Sequence, residues 1–241
     1  MSFVEIMLAV YRRLRRQLER VPNLRGPMQL VSEIRACALD SSDRDHVQVE
    51  ELFKRKIDPY GFSREPERFD RACEMLDGVS HGKRFGRALE IGCAEGLFTE
   101  RLSERCRSLL AVDISTTALD RARQRCRRFD HVQFAEWDLR GGTLLDEFDL
   151  ILAVGVLEYI RRPKILKQAI DRIISSLRVG GYLLMGNTVA DNNLEARWFG
   201  RYLMRGTWIN RYTEGDARLE VIATALDQCI CPFQHTLLRR R

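Results

Sequence analysis

The sequence predicts an α/β fold in which helices cover both faces of a doubly wound, mostly parallel sheet. Strand-like and helix-like patterns alternate from Ala88 to Met185, as they do in chains built from strand–helix–strand units. Phe148–Val154 is an almost continuous apolar run, which is typical of a central parallel strand buried on both faces. Gly92 and Gly96 follow the first strand, where a sharp strand-to-helix turn needs glycine.

Composition places the chain among ordinary globular proteins. Its 241 residues are 45% hydrophobic and 31% charged, which suits one sizeable α/β domain with an appendage. No apolar run approaches the roughly 20 residues of a membrane-spanning helix, so we expect no transmembrane segment. The seven cysteines are scattered and contain no Cys-x-x-Cys pair, so we expect no disulfide framework, no metal site and a cytoplasmic location.

The formal net charge is +6. This charge permits anionic partners, nucleic acid included, but a basic surface needs a binding motif beside it before it indicates nucleic-acid binding. Nucleic acid is therefore a possible partner that we do not favour.

Residues 1–45 are predicted to be a helical extension, and residues 46–241 the main domain. Within 1–21, apolar residues recur at helical spacing and arginines fill the opposite face. Such a helix packs on the main domain or on a second copy in a homodimer, or it lies on an anionic membrane surface. We favour packing. The polar stretch Asp40–Asp45 is predicted to be the boundary loop.

The elements that follow are predicted from periodicity and turn residues. Before the core, two helices flank a turn that carries Tyr60 and Phe62: Val47–Lys56 and Glu67–Leu76. The core strands are Ala88–Ile91, Leu109–Val112, Val132–Ala135, Phe148–Val154 and Tyr182–Met185. The helices between them are Leu97–Arg105, Thr116–Arg127 and Ile165–Leu177, the last ended by a left-handed cap at Gly180-Gly181.

The end of the chain completes the sheet. Phe233–Leu238 is predicted to be a strand, and Leu219–Leu226 is a strand or a helix. Asp191–Asn193 and Gly206–Gly215 are predicted loops. The expected sheet therefore has six strands, or seven strands if Leu219–Leu226 is one of them.

Ligands of such sheets bind beyond the carboxyl ends of the strands, where the winding direction reverses. The residues directly after the strands are therefore the candidate site. They are the turn Gly92–Gly96, then Asp113, Asp138 and the loop Gly155–Tyr159.

The turn itself carries a family signature. Glu90-Ile-Gly-Cys-Ala-Glu-Gly96 resembles the E/D-x-G-x-x-x-G motif of class I S-adenosylmethionine-dependent methyltransferases, which have a Rossmann-like fold. The resemblance covers about Phe85–Asn187, and with Asp58-Pro-Tyr-Gly-Phe62 it is most similar to the NodS-like nodulation N-methyltransferases. Further matching pieces follow in the expected order: Ala111–Ser115, Asp138-Leu139, Phe148–Ile151, Val156–Tyr159 and Leu177–Tyr182.

This resemblance implies S-adenosyl-L-methionine as the cofactor and implies its contacts. Glu90 would support the glycine turn and reach the methionyl ammonium directly or through water. Asp113 would accept hydrogen bonds from the ribose hydroxyls and Asp138 from the adenine amino group, while Gly155 would leave room beside the sulfonium. The implied cofactor-binding set is Glu90, Gly92, Cys93, Ala94, Gly96, Asp113, Ile114, Asp138, Leu139, Gly155 and Val156.

Other interpretations stay open for these residues. A nicotinamide dinucleotide would need glycine where Ala94 stands, and Glu95 is awkward beside a pyrophosphate. Asp113 and Asp138 also fit as capping or turn residues. Glu158 fits as a capping or surface acid, and Tyr159 as ordinary packing.

The implied reaction is transfer of a methyl group to a nitrogen or oxygen atom of a small molecule, a sugar or another metabolite. Glu158 and Tyr159 are the candidates to orient this acceptor. Segments 47–76 and 188–215 are predicted to close the acceptor pocket, with Tyr60 and Phe62 in its lining. The alternatives are an RNA or protein methyltransferase, suggested by the basic charge, and a non-catalytic module that binds S-adenosylmethionine.

Overall fold

A single sheet organises the part of the chain that the computed structural model describes, residues 42–64, 66–142, 147–160, 162–189, 206–227 and 233–241. The predicted helix within residues 1–21 and the predicted loop Asp191–Asn193 lie outside these residues. Their roles stay predictions, as does the division into an extension and a main domain.

Helices and strands alternate through the described residues. Ahead of the core lie α1 (Ser42–Arg55) and α2 (Pro66–Ser80), with a 3₁₀ turn at Phe62–Arg64. The core consists of β1 (Phe85–Ile91), α3 (Leu97–Ser103), β2 (Cys106–Asp113), α4 (Thr116–Arg125), β3 (Val132–Glu136), β4 (Phe148–Val154), α5 (Pro163–Ser175) and β5 (Leu177–Thr188). The chain continues with α6 (Gly206–Glu214), β6 (Leu219–Asp227) and β7 (Phe233–Arg240).

The sheet has the predicted doubly wound order. Its seven strands within the described residues run β3-β2-β1-β4-β5-β7-β6. Neighbouring strands from β3 to β5 are parallel, whereas β7 is antiparallel to both β5 and β6. The winding direction reverses between β1 and β4, so the crevice for a ligand lies beyond Ile91 and Val154.

Alternate residues of β4 enter different core layers, as the pleat of a strand requires. Leu150 and Leu152 pack with Leu102 of α3, while Ile151 packs with Ile173 of α5. Burial on both faces explains why the sequence of this central strand is almost continuously apolar.

The predicted helix cap at Gly180-Gly181 is wrong. Helix α5 ends at Ser175, and Leu177 already pairs with Phe148 in the sheet. Gly180 has a positive φ of 80°, but it lies inside β5, where the register against β4 shifts. The glycine therefore allows a bulge in a strand, a conformation that resembles a helix cap when only the sequence is seen.

Two predicted loops are helical. Gly206–Gly215 was expected to be a loop near the site, but residues 206–214 form α6, whose Ile209 is fully buried against the α5 layer. Within Asp40–Asp45, α1 begins at Ser42; serine and aspartate favour the first turn of a helix as much as they favour a loop. No described helix has the length and apolar composition needed to cross a membrane.

Candidate functional site

The turn after β1 is held in a conformation that requires glycine. Gly92 has a φ of 76° and Gly96 a φ of 78°, both in the left-handed region that favours glycine. A Cβ added at Gly92 would lie 2.8 Å from Val156 Cγ2, and one added at Gly96 would lie 3.0 Å from Ala122 Cα. The first glycine therefore brings the turn against the loop after β4, and the second lets α3 begin beside α4.

Asp113, at the end of β2, braces this turn. Its Oδ2 accepts a hydrogen bond from Ala94 N at 2.9 Å, and its Oδ1 accepts one from Ser115 N at 2.9 Å. Burial raises the pKa of this carboxyl group, and the backbone hydrogen bonds oppose the shift. A carboxylate has about four acceptor positions, so these backbone contacts leave acceptor capacity for a ligand.

A cavity of about 290 Å³ extends from this turn along the ends of the strands. Most of the predicted cofactor-binding residues line it. They are Gly92, Ala94, Asp113, Ile114, Asp138, Leu139, Gly155 and Val156.

A smaller cavity of about 30 Å³ lies on the other side of the turn. Glu90 and Cys93 line it together with Gly92 and Ala94, which border both cavities. The Glu90 side chain is 4% exposed, and its Oε2 has no hydrogen-bond partner among the described residues. Burial raises the pKa of Glu90 to about 7, and the charge of Asp113 acts in the same direction. Gly96 is absent from the described lining of both cavities and serves helix packing.

Asp138 is already paired. Arg140 Nη2 lies 2.8 Å from Asp138 Oδ2, and Arg140 Nε lies 3.0 Å from Asp138 Oδ1. Burial acts to raise the pKa of Asp138, but hydrogen bonds from Arg140 outweigh it and hold the pKa below its usual value. Arg140 also lines the larger cavity. The sequence analysis did not include it, although a basic residue two positions after Asp138 was the available signal.

Residues 46–62, the covering segment, form a wall that the sequence analysis did not assign to the cofactor. Four side chains of α1 line the 290 Å³ cavity: Gln48, Val49, Leu52 and Phe53. Glu50 fastens α1 to the start of α4, since its carboxylate accepts hydrogen bonds from Ser115 Oγ at 2.7 Å and Thr117 Oγ1 at 2.6 Å.

The turn that ends the covering segment is fastened to the glycine turn. Asp58 N donates a hydrogen bond to Glu95 Oε2 at 2.8 Å. Glu95 is 4% exposed and also accepts a hydrogen bond from Arg121 Nη1, which in turn donates to Lys56 O at 3.1 Å. Glu95, which the sequence analysis used only to argue against a pyrophosphate, therefore connects the two walls of the cavity.

Aromatic side chains form the wall next to the end of β4. Tyr60, Phe62 and Tyr159 all line the 290 Å³ cavity; the predicted role of Tyr60 and Phe62 in an acceptor pocket stays a prediction. The ring centroids of Tyr60 and Tyr159 are 6.0 Å apart in an edge-to-face arrangement. Glu158 is absent from the described lining of both cavities; its Oε2 accepts a hydrogen bond from Thr188 N at 3.0 Å.

Comparison with known proteins agrees with this geometry. A family model described as Nodulation protein S (NodS) matches residues 45–213. The chain belongs to the NodS family. The predicted resemblance to class I methyltransferases of the NodS group is therefore confirmed.

Individual relatives of this NodS family member differ in how much they share with it. The Nodulation protein S of Sinorhizobium fredii (strain NBRC 101917 / NGR234) is 33% identical over 105 residues, which cover 44% of this chain and 49% of that protein. The chain thus spans about half the length of this curated relative. The tRNA 5-carboxymethoxyuridine methyltransferase of Escherichia coli (strain K12) is 32% identical over 168 residues, covering 62% of each chain.

A solved structure of a NodS protein is also similar. The crystal structure of N-methyltransferase NodS from Bradyrhizobium japonicum WM9, in complex with S-adenosyl-L-homocysteine, is 27% identical with a TM-score of 0.68. The match covers 79% of this chain and 97% of that chain. The predicted Rossmann-like class I methyltransferase fold is confirmed.

Proposed function

We propose that this NodS family member transfers a methyl group from S-adenosyl-L-methionine to an amine nitrogen of a small molecule, such as a sugar or another metabolite. The observation that carries the proposal is the 290 Å³ cavity at the reversal of the winding, lined by the residues that the family motif singles out. The similarity to an N-methyltransferase that binds S-adenosyl-L-homocysteine supports both the donor and the choice of nitrogen.

The residues of the two cavities fit the parts of this cofactor. Asp113, with acceptor positions left over from the backbone, would hold the ribose hydroxyls. Ile114 and Leu139 would contact the two faces of the adenine ring. The unpartnered Glu90 Oε2 would accept a hydrogen bond from the methionyl ammonium, directly or through one water, because a buried polar atom without a partner is costly.

The Asp138–Arg140 pair changes how we expect adenine to be recognised. Both oxygens of Asp138 already accept hydrogen bonds from Arg140. Arg140 N also donates to Asp138 Oδ1 at 2.9 Å, so Asp138 keeps about one acceptor position for the adenine amino group. Arg140 holds the carboxylate in place and lines the cavity beside it.

The chemistry needs alignment more than acid or base strength. When bound, S-adenosyl-L-methionine supplies a methyl carbon made electrophilic by the sulfonium. The acceptor nitrogen uses its lone pair to form the N–C bond as the C–S bond breaks with its electron pair going to sulfur, and the surplus proton passes to water. Tyr159 would orient this nitrogen, and the covering segment would exclude water. Glu158, buried behind the loop and bonded to Thr188 N, would hold Tyr159 in place.

Ligand-dependent stability tests the cofactor assignment. S-adenosylhomocysteine at 100 times its Kd should stabilise the protein by about 2.7 kcal/mol, seen as a concentration-dependent rise in Tm. Asp113→Ala should reduce that rise at every concentration. The absence of a shift in the intact protein, together with a clear shift from NADH, would overturn the proposal.

RNA methylation is the second candidate. The similarity to a tRNA methyltransferase and the net charge of +6 favour it. Binding of tRNA that weakens steeply with rising salt, with methyl transfer to the tRNA, would support RNA as the acceptor. Transfer to a small amine with no tRNA binding would support the first candidate. The cytoplasmic location and contact with a second copy through the N-terminal helix stay predictions.

A further inference from the structure

Tyr60 lies at one end of the 290 Å³ cavity. Asp138 and Leu139 follow β3, and Gly155 and Tyr159 follow β4, which is three strand spacings away in the sheet, or about 14 Å. Because the ring of Tyr60 packs against that of Tyr159, it belongs to the β4 end. The residues assigned to adenine occupy the other end, so the β4 end is where the sulfonium of the proposed cofactor would lie.

Three aromatic contacts fix the ring of Tyr60. Its centroid lies 5.7 Å from that of Phe53, 5.6 Å from that of Phe62 and 6.0 Å from that of Tyr159. Burial raises the pKa of Tyr60 to about 12, so the phenol stays protonated at neutral pH. It can give and receive hydrogen bonds there but cannot remove a proton.

The backbone turn that carries Tyr60 is held equally firmly. Asp58 Oδ1 accepts a hydrogen bond from Phe62 N at 2.8 Å, and Asp58 Oδ2 accepts one from Ser63 N at 3.0 Å. Asp58 N is in turn bonded to Glu95 in the cofactor turn. The position of Tyr60 is therefore set relative to Gly92 and Ala94, which line both cavities as Tyr60 does.

We propose that the hydroxyl of Tyr60, whose ring packs against that of Tyr159, flanks the methyl group being transferred and accepts a hydrogen bond from the acceptor nitrogen. Holding an N–H in this way directs the nitrogen lone pair toward the methyl carbon, which is the alignment that methyl transfer needs. The inference rests on the proposed function, since it assumes that a sulfonium occupies the β4 end of the cavity.

Two cofactor analogues test the proposed role of Tyr60, and the test does not require the methyl acceptor to be known. Sinefungin carries a CH–NH₃⁺ group where S-adenosylmethionine has its methylsulfonium, so its ammonium stands where the methyl group would be. S-adenosylhomocysteine has nothing at that position. The measurement is the Kd of each analogue, by calorimetry, for the full-length wild type and for Tyr60→Phe, Tyr159→Phe and Tyr182→Phe. Tyr182 packs against Phe85 in the sheet and is the matched control.

Tyr60→Phe should keep its affinity for S-adenosylhomocysteine within about twofold and lose about tenfold for sinefungin, because a hydrogen bond to a charged group is removed. Tyr159→Phe should also raise the ratio of the sinefungin Kd to the S-adenosylhomocysteine Kd, and Tyr182→Phe should leave this ratio unchanged. An unchanged ratio in Tyr60→Phe, or an equal loss for both analogues, overturns this inference while the proposed function stands. A wild type that binds neither analogue overturns the proposed function itself. Melting curves of each variant identify any that fail to fold, and either tyrosine variant alone decides the outcome.

Discussion

The glycine turn and the covering segment form opposite walls of one cavity, but different kinds of contact hold them. The turn is shaped mainly by its own residues: Gly92, Ala94 and Gly96 have positive φ angles, and Gly96 N donates to Cys93 O at 2.9 Å. A side-chain brace, from Asp113 to Ala94 N, comes from the neighbouring strand 19 residues away. The covering segment depends on residues far away in sequence. Its Glu50 reaches Thr117 across 67 residues, and its Asp58 reaches Glu95 across 37.

This difference has an energetic consequence. The turn connects β1 to α3 and lies close against Val156 and Ala122, so a change there disturbs the core. A few hydrogen bonds hold the covering segment against the rest of the domain, and each contributes about 1 kcal/mol to folding stability. We therefore expect changes in the turn to cost folding stability, and changes in the covering segment to cost less and to act more locally.

The largest effect should come from Gly92→Ala. The new Cβ would lie 2.8 Å from Val156 Cγ2, and the alanine would have to adopt a positive φ. We therefore expect a loss of about 3 kcal/mol in the free energy of unfolding. The stabilisation by S-adenosylhomocysteine should disappear with it. Urea denaturation and ligand titration measure the two quantities.

Gly78→Ala is the matched control. Gly78 lies in α2, and an added Cβ meets nothing within 4 Å, so the substitution should raise stability by about 0.5–1 kcal/mol. If Gly92→Ala were as stable as the wild type, the strain assigned to the glycine turn would be wrong.

Glu90→Gln should have the next largest effect, and it should depend on pH. Folding raises the pKa of Glu90 from 4.5 to about 7, so the folded state binds more protons than the unfolded state between these values and stability falls as pH rises. The buried charge should cost about 3 kcal/mol well above pH 7 and nothing below pH 4.5. Glu90→Gln should remove this decline and be more stable than the wild type at pH 8, while its S-adenosylhomocysteine affinity decreases.

Denaturation curves from pH 4 to 8 measure the decline. Parallel pH profiles for the wild type and Glu90→Gln would contradict the raised pKa. A weaker affinity with unchanged profiles would indicate that the carboxylate acts on the ligand alone.

Glu95→Ala should separate the two walls. It removes the acceptor of Asp58 N and leaves the partly buried Arg121 without its ion pair, so we expect a loss of about 2 kcal/mol. Amide hydrogen exchange should accelerate in residues 46–62 and not in the sheet. Exchange that rises uniformly would show that the two walls are not held independently.

Glu100→Ala, in α3 directly after the turn, provides the control. Glu100 pairs with Arg128 at 3.0 Å, and both side chains are substantially exposed. Its removal should cost less than about 1 kcal/mol and leave exchange in the covering segment unchanged.

Glu50→Gln should have the smallest effect, with a pH dependence opposite to that of Glu90. Burial alone would raise the pKa of Glu50, but hydrogen bonds from Thr117 and Ser115 lower it from 4.5 to about 2. The ionised carboxylate therefore stabilises the fold above pH 4.5, and this contribution is lost as the pH falls toward 2. After allowance for solvent screening we expect about 1 kcal/mol at pH 7.

Glu51→Gln is the comparison for that measurement. Glu51 is the next residue of α1, half exposed, and pairs with Lys54 at 3.5 Å. Acid denaturation of the two variants should differ between pH 2 and 4.5. Identical curves would show that the Glu50 hydrogen bonds do not stabilise α1.

The sheet, the turn and much of the cavity lining could be predicted from the amino-acid sequence alone. Strand and helix periods and glycine at positive φ are properties of short stretches, so Gly92, Asp113 and Gly155 could be assigned to the ends of β1, β2 and β4. The same local reasoning misplaced Gly180, because a left-handed glycine serves a strand bulge as well as a helix cap.

Which side chains meet across the cavity could not be predicted, because it depends on how distant segments fold together. Glu95 binds Asp58, and Glu158 binds Thr188 instead of lining the cavity; both contacts join residues 30 or more positions apart. The α1 side chains likewise reach the cofactor wall from a distant part of the sequence. No local pattern encodes such contacts, since they depend on how the helices and loops pack on the sheet. The glycine turn could be predicted because it is built from its own residues, whereas the opposite wall exists only once the chain has folded back on it.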